Sequence, residues 1–246
     1  MLKNVVKGVF IGIANVLPGV SGGTLAVVLN IYDKLTEAVG NFFTASNEKR
    51  IEYIKFLFQI GVGAAIGIVA FAGVVSTMYN NYPKGTTIVF LLLILPSIPL
   101  ILKGEKFFEK NNIISFLSGV VFTLIFIGVT KMFSNGAEVI RTSSFTMAYG
   151  GKLFVCGLIA AGAMIIPGIS GSLLLLILGE YYNIMTYIKS FDVVPLIFFS
   201  AGTGIGLVGV SKVINILLHK YRSYTLHFIV GIIVVSLFEI ATKLFM

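Results

Sequence analysis

Residues 5–39 make up a predominantly apolar stretch of 35 residues, with NVLPGVSGGT (15–24) near its middle. As one helix it would be ~52 Å long, against ~30 Å for the hydrocarbon core of a bilayer. The breaker rules out one uninterrupted helix. Pro18 disfavours helical geometry at Leu17, and Gly19, Gly22 and Gly23 permit a sharp turn. The first arm, 5–17, would be ~20 Å long, enough to pass the midplane but not to span. The expectation is a re-entrant helical hairpin with Pro-Gly-x-Ser-Gly at its tip. Non-helical backbone at that depth has to sit inside protein or beside a wet cavity.

The breaker occurs twice. At a shift of 149, residues 5–35 lie over 154–184, and MIIPGISGS (164–172) falls on the first tip. Gly8, Pro18, Gly19, Ser21, Gly22 and Tyr32 meet Gly157, Pro167, Gly168, Ser170, Gly171 and Tyr181. Apolar sequence produces chance matches of Val and Gly, but rarely Pro-Gly-x-Ser-Gly in register. Each copy is followed by a Gly-rich apolar segment, QIGVGAAIG (59–67) or SAGTGIGLVG (200–209), and then by another apolar segment.

Composition places the chain in a membrane. It is 57% hydrophobic and 11% charged with a mean hydropathy of +1.00, where soluble domains are ~25% charged. Apolar segments recur at 5–17, 23–39, 56–78, 87–102, 113–133, 152–166, 172–187, 194–217 and 225–245. Runs such as IVFLLLIL (88–95) do not alternate as barrel strands do. The fold expected is an all-α polytopic membrane protein with two inverted repeats, each a re-entrant hairpin followed by spanning helices. It forms one domain over 1–246, with repeat one about 5–102, a linking span at 113–133 and repeat two about 152–245. Three spans between the hairpins make the second enter from the opposite face. If the motif only kinked a spanning helix, the repeats would be parallel instead. Lys3 and Lys7 before an apolar run superficially resemble a signal peptide, but no small-x-small cleavage site follows and the pattern recurs at 153–172.

On this topology twelve of the 18 Lys and Arg lie on the N-terminal side. The positive-inside rule then puts the N-terminus in the cytoplasm of a cell with a multi-pass cytoplasmic membrane protein. The net charge of +8 is spread over short loops with no basic stripe, so no nucleic acid is expected as partner. A single cysteine, Cys156, and two histidines, His219 and His227, give no metal-ligand set, and no cofactor is expected.

The tips offer chemistry. A helix starting after each turn leaves N–H groups without acceptors and a partial positive charge. Ser21 and Ser170 are suited to N-capping, and Thr24 and Ser172 add hydroxyls. Such an end takes an anion. Two tips meeting near the midplane would make one site with access from both faces. The candidate binding residues are Asn15, Pro18, Gly19, Ser21, Gly22, Gly23 and Thr24 at the first tip. Pro167, Gly168, Ser170, Gly171 and Ser172 form the second, with Lys7 inside the first arm as an added attraction. Lys152 and Arg141 are weaker candidates, since basic residues near segment ends commonly snorkel. Asp33 and Glu180, at matching places in the two copies, are candidates for carrying a coupling proton, against the commoner interfacial role of such acids; Glu239 is an intramembrane acid. The opposing reading is that the breaks only shape the fold, with Ser hydroxyls bonding turn carbonyls.

KGVFIGIANVLPGVSGGT with LNIYDKL, and IIPGISGS with LGEYY, resemble the bacterial and archaeal polyprenyl-phosphate transporter family essentially end to end. The resemblance implies translocation of undecaprenyl phosphate, the lipid carrier of cell-wall precursors, from the outer to the cytoplasmic leaflet. Its head would sit at the tips while its tail stays in membrane lipid, with protons or sodium as candidate coupling ions. The family usually has Gly where Asn30 stands before the x-Tyr of the first arm. The rival reading is an enzyme: undecaprenyl pyrophosphate phosphatase has a similar re-entrant design, but Gly22 and Gly171 stand where its PGxSRS motif has Arg. No Glu-x-x-x-Glu lies in the apolar segments. Hydrolysis needs a positive charge to stabilise the leaving phosphate and a nucleophile or base, so an enzyme is not expected. A transporter of a small soluble anion is the other alternative.

Overall fold

The computed structural model describes residues 2–16, 21–134 and 145–242, and among them the only regular structure is helical. Pro18, Gly19 and Arg141 lie outside the described residues, as do Leu17 and Lys243. Among the described residues five helices are long and apolar enough to cross a membrane. They are α4 (Asn47–Asn81), α7 (Lys110–Ser134), α8 (Met147–Ile165), α11 (Val193–Lys220) and α12 (Arg222–Thr242). About half of the apolar window of α8 and of α12 is buried in protein, whereas α4, α7 and α11 turn most of theirs outward. The all-helical membrane fold expected from the sequence is therefore present.

The first arm is α1 (Leu2–Val16). The second arm, expected as one helix over 23–39, is two: α2 (Gly22–Val28) and α3 (Tyr32–Gly40). Between them the Asn30 N–H bonds the Val27 carbonyl and the Ile31 N–H bonds the Ala26 carbonyl, each at 2.9 Å. This is a Schellman turn, and it needs a left-handed residue. Asn30 supplies it with φ 53°. The second copy repeats the device. α9 (Gly171–Ile177) and α10 (Tyr181–Ser190) replace the expected single arm over 172–187. Gly179 has φ 73°, and the Gly179 and Glu180 N–H groups bond Leu176 and Leu175 at 3.1 and 2.9 Å. Asn is one of the few side chains that enter this region at modest cost, so the Gly-to-Asn difference leaves the turn intact.

The helices that follow correspond too, at a shift of 139. α4 ends at a C-cap Tyr82 with φ −136°, ψ 59°, and α11 at a C-cap Tyr221 with φ −133°, ψ 45°. After them come α5 (Pro83–Ile94) and α6 (Ser97–Ile101), against the continuous α12. The expected apolar segment 87–102 is broken here because Pro96 has no N–H to give and crowds the preceding turn.

Glycine brings these helices together. α1 and α4 run side by side in the same direction. A Cβ on Gly63 would collide with the Val5 carbonyl and one on Gly67 with the Val9 carbonyl. In the second copy Gly202 meets the Phe154 carbonyl and Gly206 the Leu158 carbonyl, the same contacts after shifts of 139 and 149. α7 and α12 pack antiparallel through Gly119 on the Phe228 carbonyl and Gly231 on the Phe116 carbonyl. Close approach of this kind replaces the hydrophobic drive that lipid does not provide between helices.

Gly63→Val and Gly202→Val should each lower stability by ~1–3 kcal/mol through overpacking. Gly61→Val, whose Cβ would meet nothing within 4 Å, should leave the thermal unfolding midpoint in detergent unchanged.

Candidate functional site

Each tip begins a short helix capped by serine. The Ser21 hydroxyl accepts from the Gly23 N–H at 3.2 Å, and the Ser170 hydroxyl accepts from the Leu173 N–H at 3.4 Å. Both expected caps are formed. A further hydroxyl contact joins Ser170 to Ser172 at 2.9 Å. The carboxamide of Asn15 lies over Gly22, where an added Cβ would come within 2.9 Å of its Oδ1.

The two tips touch. The Gly168 N–H donates to the Thr24 hydroxyl at 2.9 Å, across 144 positions of sequence. The buried Tyr32 hydroxyl donates to the Ile165 carbonyl at 3.0 Å. That carbonyl is in the last turn of α8, where helical donors run out. Gly23 packs beneath it: an added Cβ would lie 3.2 Å from the carbonyls of both Met164 and Ile165. Gly168 has φ 82°, and its missing side chain makes room for Ile232 and Ser236 of α12. Pro167 is fully buried. Polar backbone freed by the second break is thus taken up by the first hairpin.

Beside the second tip is a cavity of about 370 Å³, in the usual size range of ligand pockets. Gly168, Ser170 and Ser172 form one wall. Thr123 and Thr130 of α7 and Ser236 and Glu239 of α12 form the others. α7 and α12 contribute residues that the sequence reading did not place at the site, apart from naming Glu239 as an intramembrane acid. The available signal was spacing: Thr123 and Thr130 stand seven apart in apolar sequence, Ser236 and Glu239 three apart, each pair on one helical face.

Other expected residues lie elsewhere. Lys7 donates to the Leu29 carbonyl at 2.7 Å, at the far end of α2 from the tip, where it caps the helix C-terminus. Asp33 is paired with Arg222 at 2.6 Å. Glu180 is only 1% exposed and fully engaged: Lys152 Nζ donates to it at 2.6 Å, Tyr149 at 2.6 Å and Asn183 at 2.9 Å. A buried carboxylate needs such partners, and these tie α8 to α10. Neither acid lines the cavity. Glu48 and Glu52 do form a Glu-x-x-x-Glu, but in the exposed first turns of α4, with Glu52 held by Lys34 at 2.7 Å.

These helices define a multi-pass helical membrane protein with paired tips and a hydroxyl-lined cavity. Residues 11–243 match the profile of the VCA0040-like, undecaprenyl phosphate translocase-like family, and the chain belongs to it. It is 30% identical to a polyprenyl-phosphate transporter of Vibrio cholerae over 96% of its own length and 76% of the relative's. It is 28% identical to a polyprenyl-phosphate transporter of Staphylococcus aureus, over 96% of this chain and 85% of that one. The family and these relatives are named as transporters, not enzymes. No solved structure matches the chain.

Replacing Thr24 by Val removes the acceptor of the Gly168 N–H and should cost ~1–3 kcal/mol, the range for orphaning a buried donor. Tyr32→Phe should cost a similar amount at the Ile165 carbonyl. If unfolding midpoints are unmoved in both, the tips are not held together by these bonds.

Proposed function

We propose that this protein carries polyprenyl phosphate, with undecaprenyl phosphate as the substrate, between the leaflets of the cytoplasmic membrane. The phosphate head passes the paired tips while the isoprenoid tail stays in lipid. The observation that carries this reading is the contact of the two tips beside a hydroxyl-lined cavity. The first turn of α9 leaves the Gly171 and Ser172 N–H groups without helical acceptors, and Ser170 and Ser172 stand next to them. Ser172 is exposed and, with Ser170, offers hydroxyls to a head group in that cavity. The relatives' names supply the substrate class.

The hairpins are read as re-entrant and the repeats as inverted. Two facts support this. Caps and glycine contacts recur at constant shifts through α1–α6 and α8–α12. The C-terminal part of α11 packs at the turn that begins α4, with Lys212 Nζ donating to Asn41 Oδ1 and the Asn41 carboxamide donating to Asn215. Equivalent long helices then run in opposite senses. The surplus of Lys and Arg on the side of Lys49, Arg50, Lys212 and Arg222 puts that side in the cytoplasm.

The test is exchange of undecaprenyl phosphate between leaflets of proteoliposomes. Gly171 packs against Met164 and the Ala160 carbonyl, so a large residue there would disturb helix packing. Ser172 is exposed to the cavity instead. The wild type should accelerate exchange, and Ser172→Leu should reduce it at least tenfold with normal insertion and melting. Acceleration of inorganic phosphate flux but not of the lipid would make the substrate a soluble anion and overturn the proposal.

A further inference from the structure

We infer that Glu239 is the proton-carrying side chain of the cavity at the second tip, so that a phosphate head enters together with one proton. The inference rests on the reading of that cavity as the head-group site. Glu239 lines it, half-buried, with no hydrogen bond or ion pair to its carboxylate among the described residues. The other acids of the hairpins, Asp33 and Glu180, are already paired. Glu239 differs from them in being free and in facing the tip.

The walls of the cavity explain what such a carboxyl would do. Among the described residues no Lys, Arg or His lines it. Thr123 has its proton on the Gly119 carbonyl and Thr130 on the Ile127 carbonyl, each at 2.8 Å, and Ser236 donates to Ile232 at 2.9 Å. Three of the hydroxyls therefore face an incoming anion with lone pairs, not protons. A phosphate beside an ionised Glu239 would be a like-charge pair with no counter-ion, in surroundings that screen it poorly. Protonation removes the repulsion and adds a side-chain donor, because a neutral carboxyl gives one O–H hydrogen bond. The step is balanced: the carboxylate takes one proton from bulk water as the head binds and returns one when it leaves. Tyr181 is the remaining titratable group in the cavity. Lys131 on α7 and Lys84 on α5, the charged neighbours on packed helices, do not line it, and Lys243 lies outside the described residues.

The experiment titrates undecaprenyl phosphate onto the full-length protein in nanodiscs between about pH 6 and pH 8, with a pH indicator reading proton uptake. A phosphate monoester itself titrates near pH ~6, so the comparison is between wild type and Glu239→Gln. Wild type should take up about one proton more per bound lipid, and its affinity should fall with pH more steeply, by up to about tenfold per unit. Glu239→Asp should keep the extra proton, and Glu239→Ala replaces the Gln variant if that one does not insert. Equal proton uptake in wild type and the Gln or Ala variant overturns the role of Glu239 while leaving the head-group site standing. So does a sodium dependence in place of the pH dependence, lost with the carboxyl, which makes the partner a cation. Failure of every form to bind the lipid phosphate at any pH overturns the site itself as well.

Discussion

A break in a helix frees backbone N–H and C=O groups, and hydrocarbon has nothing to bond them. That constraint shapes the centre of this molecule. The short helix that follows each break, α2 or α9, is closed at its start by a serine cap and at its end by a Schellman turn. The polar groups that remain are met from the opposite hairpin, by Thr24 at the Gly168 N–H and Tyr32 at the Ile165 carbonyl. The second break thus draws two of its backbone partners from the first hairpin.

Holding the tips together requires the flanking helices to come very close, and glycine on carbonyl contacts allow it on both sides. The pairs α1–α4 and α8–α11 form two similar frames, and α7 with α12 closes the space beside the second tip. There the two copies diverge in chemistry. The second copy carries the buried Glu180–Lys152–Tyr149 network. The corresponding stretch of the first is fastened by Lys7 on Leu29 and by the exposed Asp33–Arg222 pair. The cavity belongs to the second tip, with an acid on its wall. A transporter that must release its cargo gains from such inequality, since an ion at one end of the path can make binding conditional.

Much of the architecture was legible because Pro and Gly speak locally. The tips, the serine caps and the division into apolar segments follow from residue identity alone. The breaks at 29–31 and 178–180 were harder. Gly179 sits where such a turn needs it, but Asn30 is less conspicuous, and an apolar periodicity continues through both. Pro96 was visible, yet a run as apolar as 87–102 reads as a single span until the break is seen. Lys7 looked like an anion ligand because charge inside an arm is unusual; only the fold brings the Leu29 carbonyl to it. The walls from α7 and α12 were least legible of all. Thr123, Thr130 and Ser236 are ordinary polar residues in long helices until packing turns them toward one space.

The most direct test of the central claim is labelling of single cysteines placed at Ser21 and Ser172 in a Cys156→Ser background, using a maleimide that does not cross membranes. The account predicts reaction at Ser21 from one face and at Ser172 from the other. It also predicts that undecaprenyl phosphate protects both sites and the uncharged alcohol protects neither. Labelling of both from the same face, or at a rate that the lipid phosphate does not change, would contradict a single head-group site shared by two opposed tips.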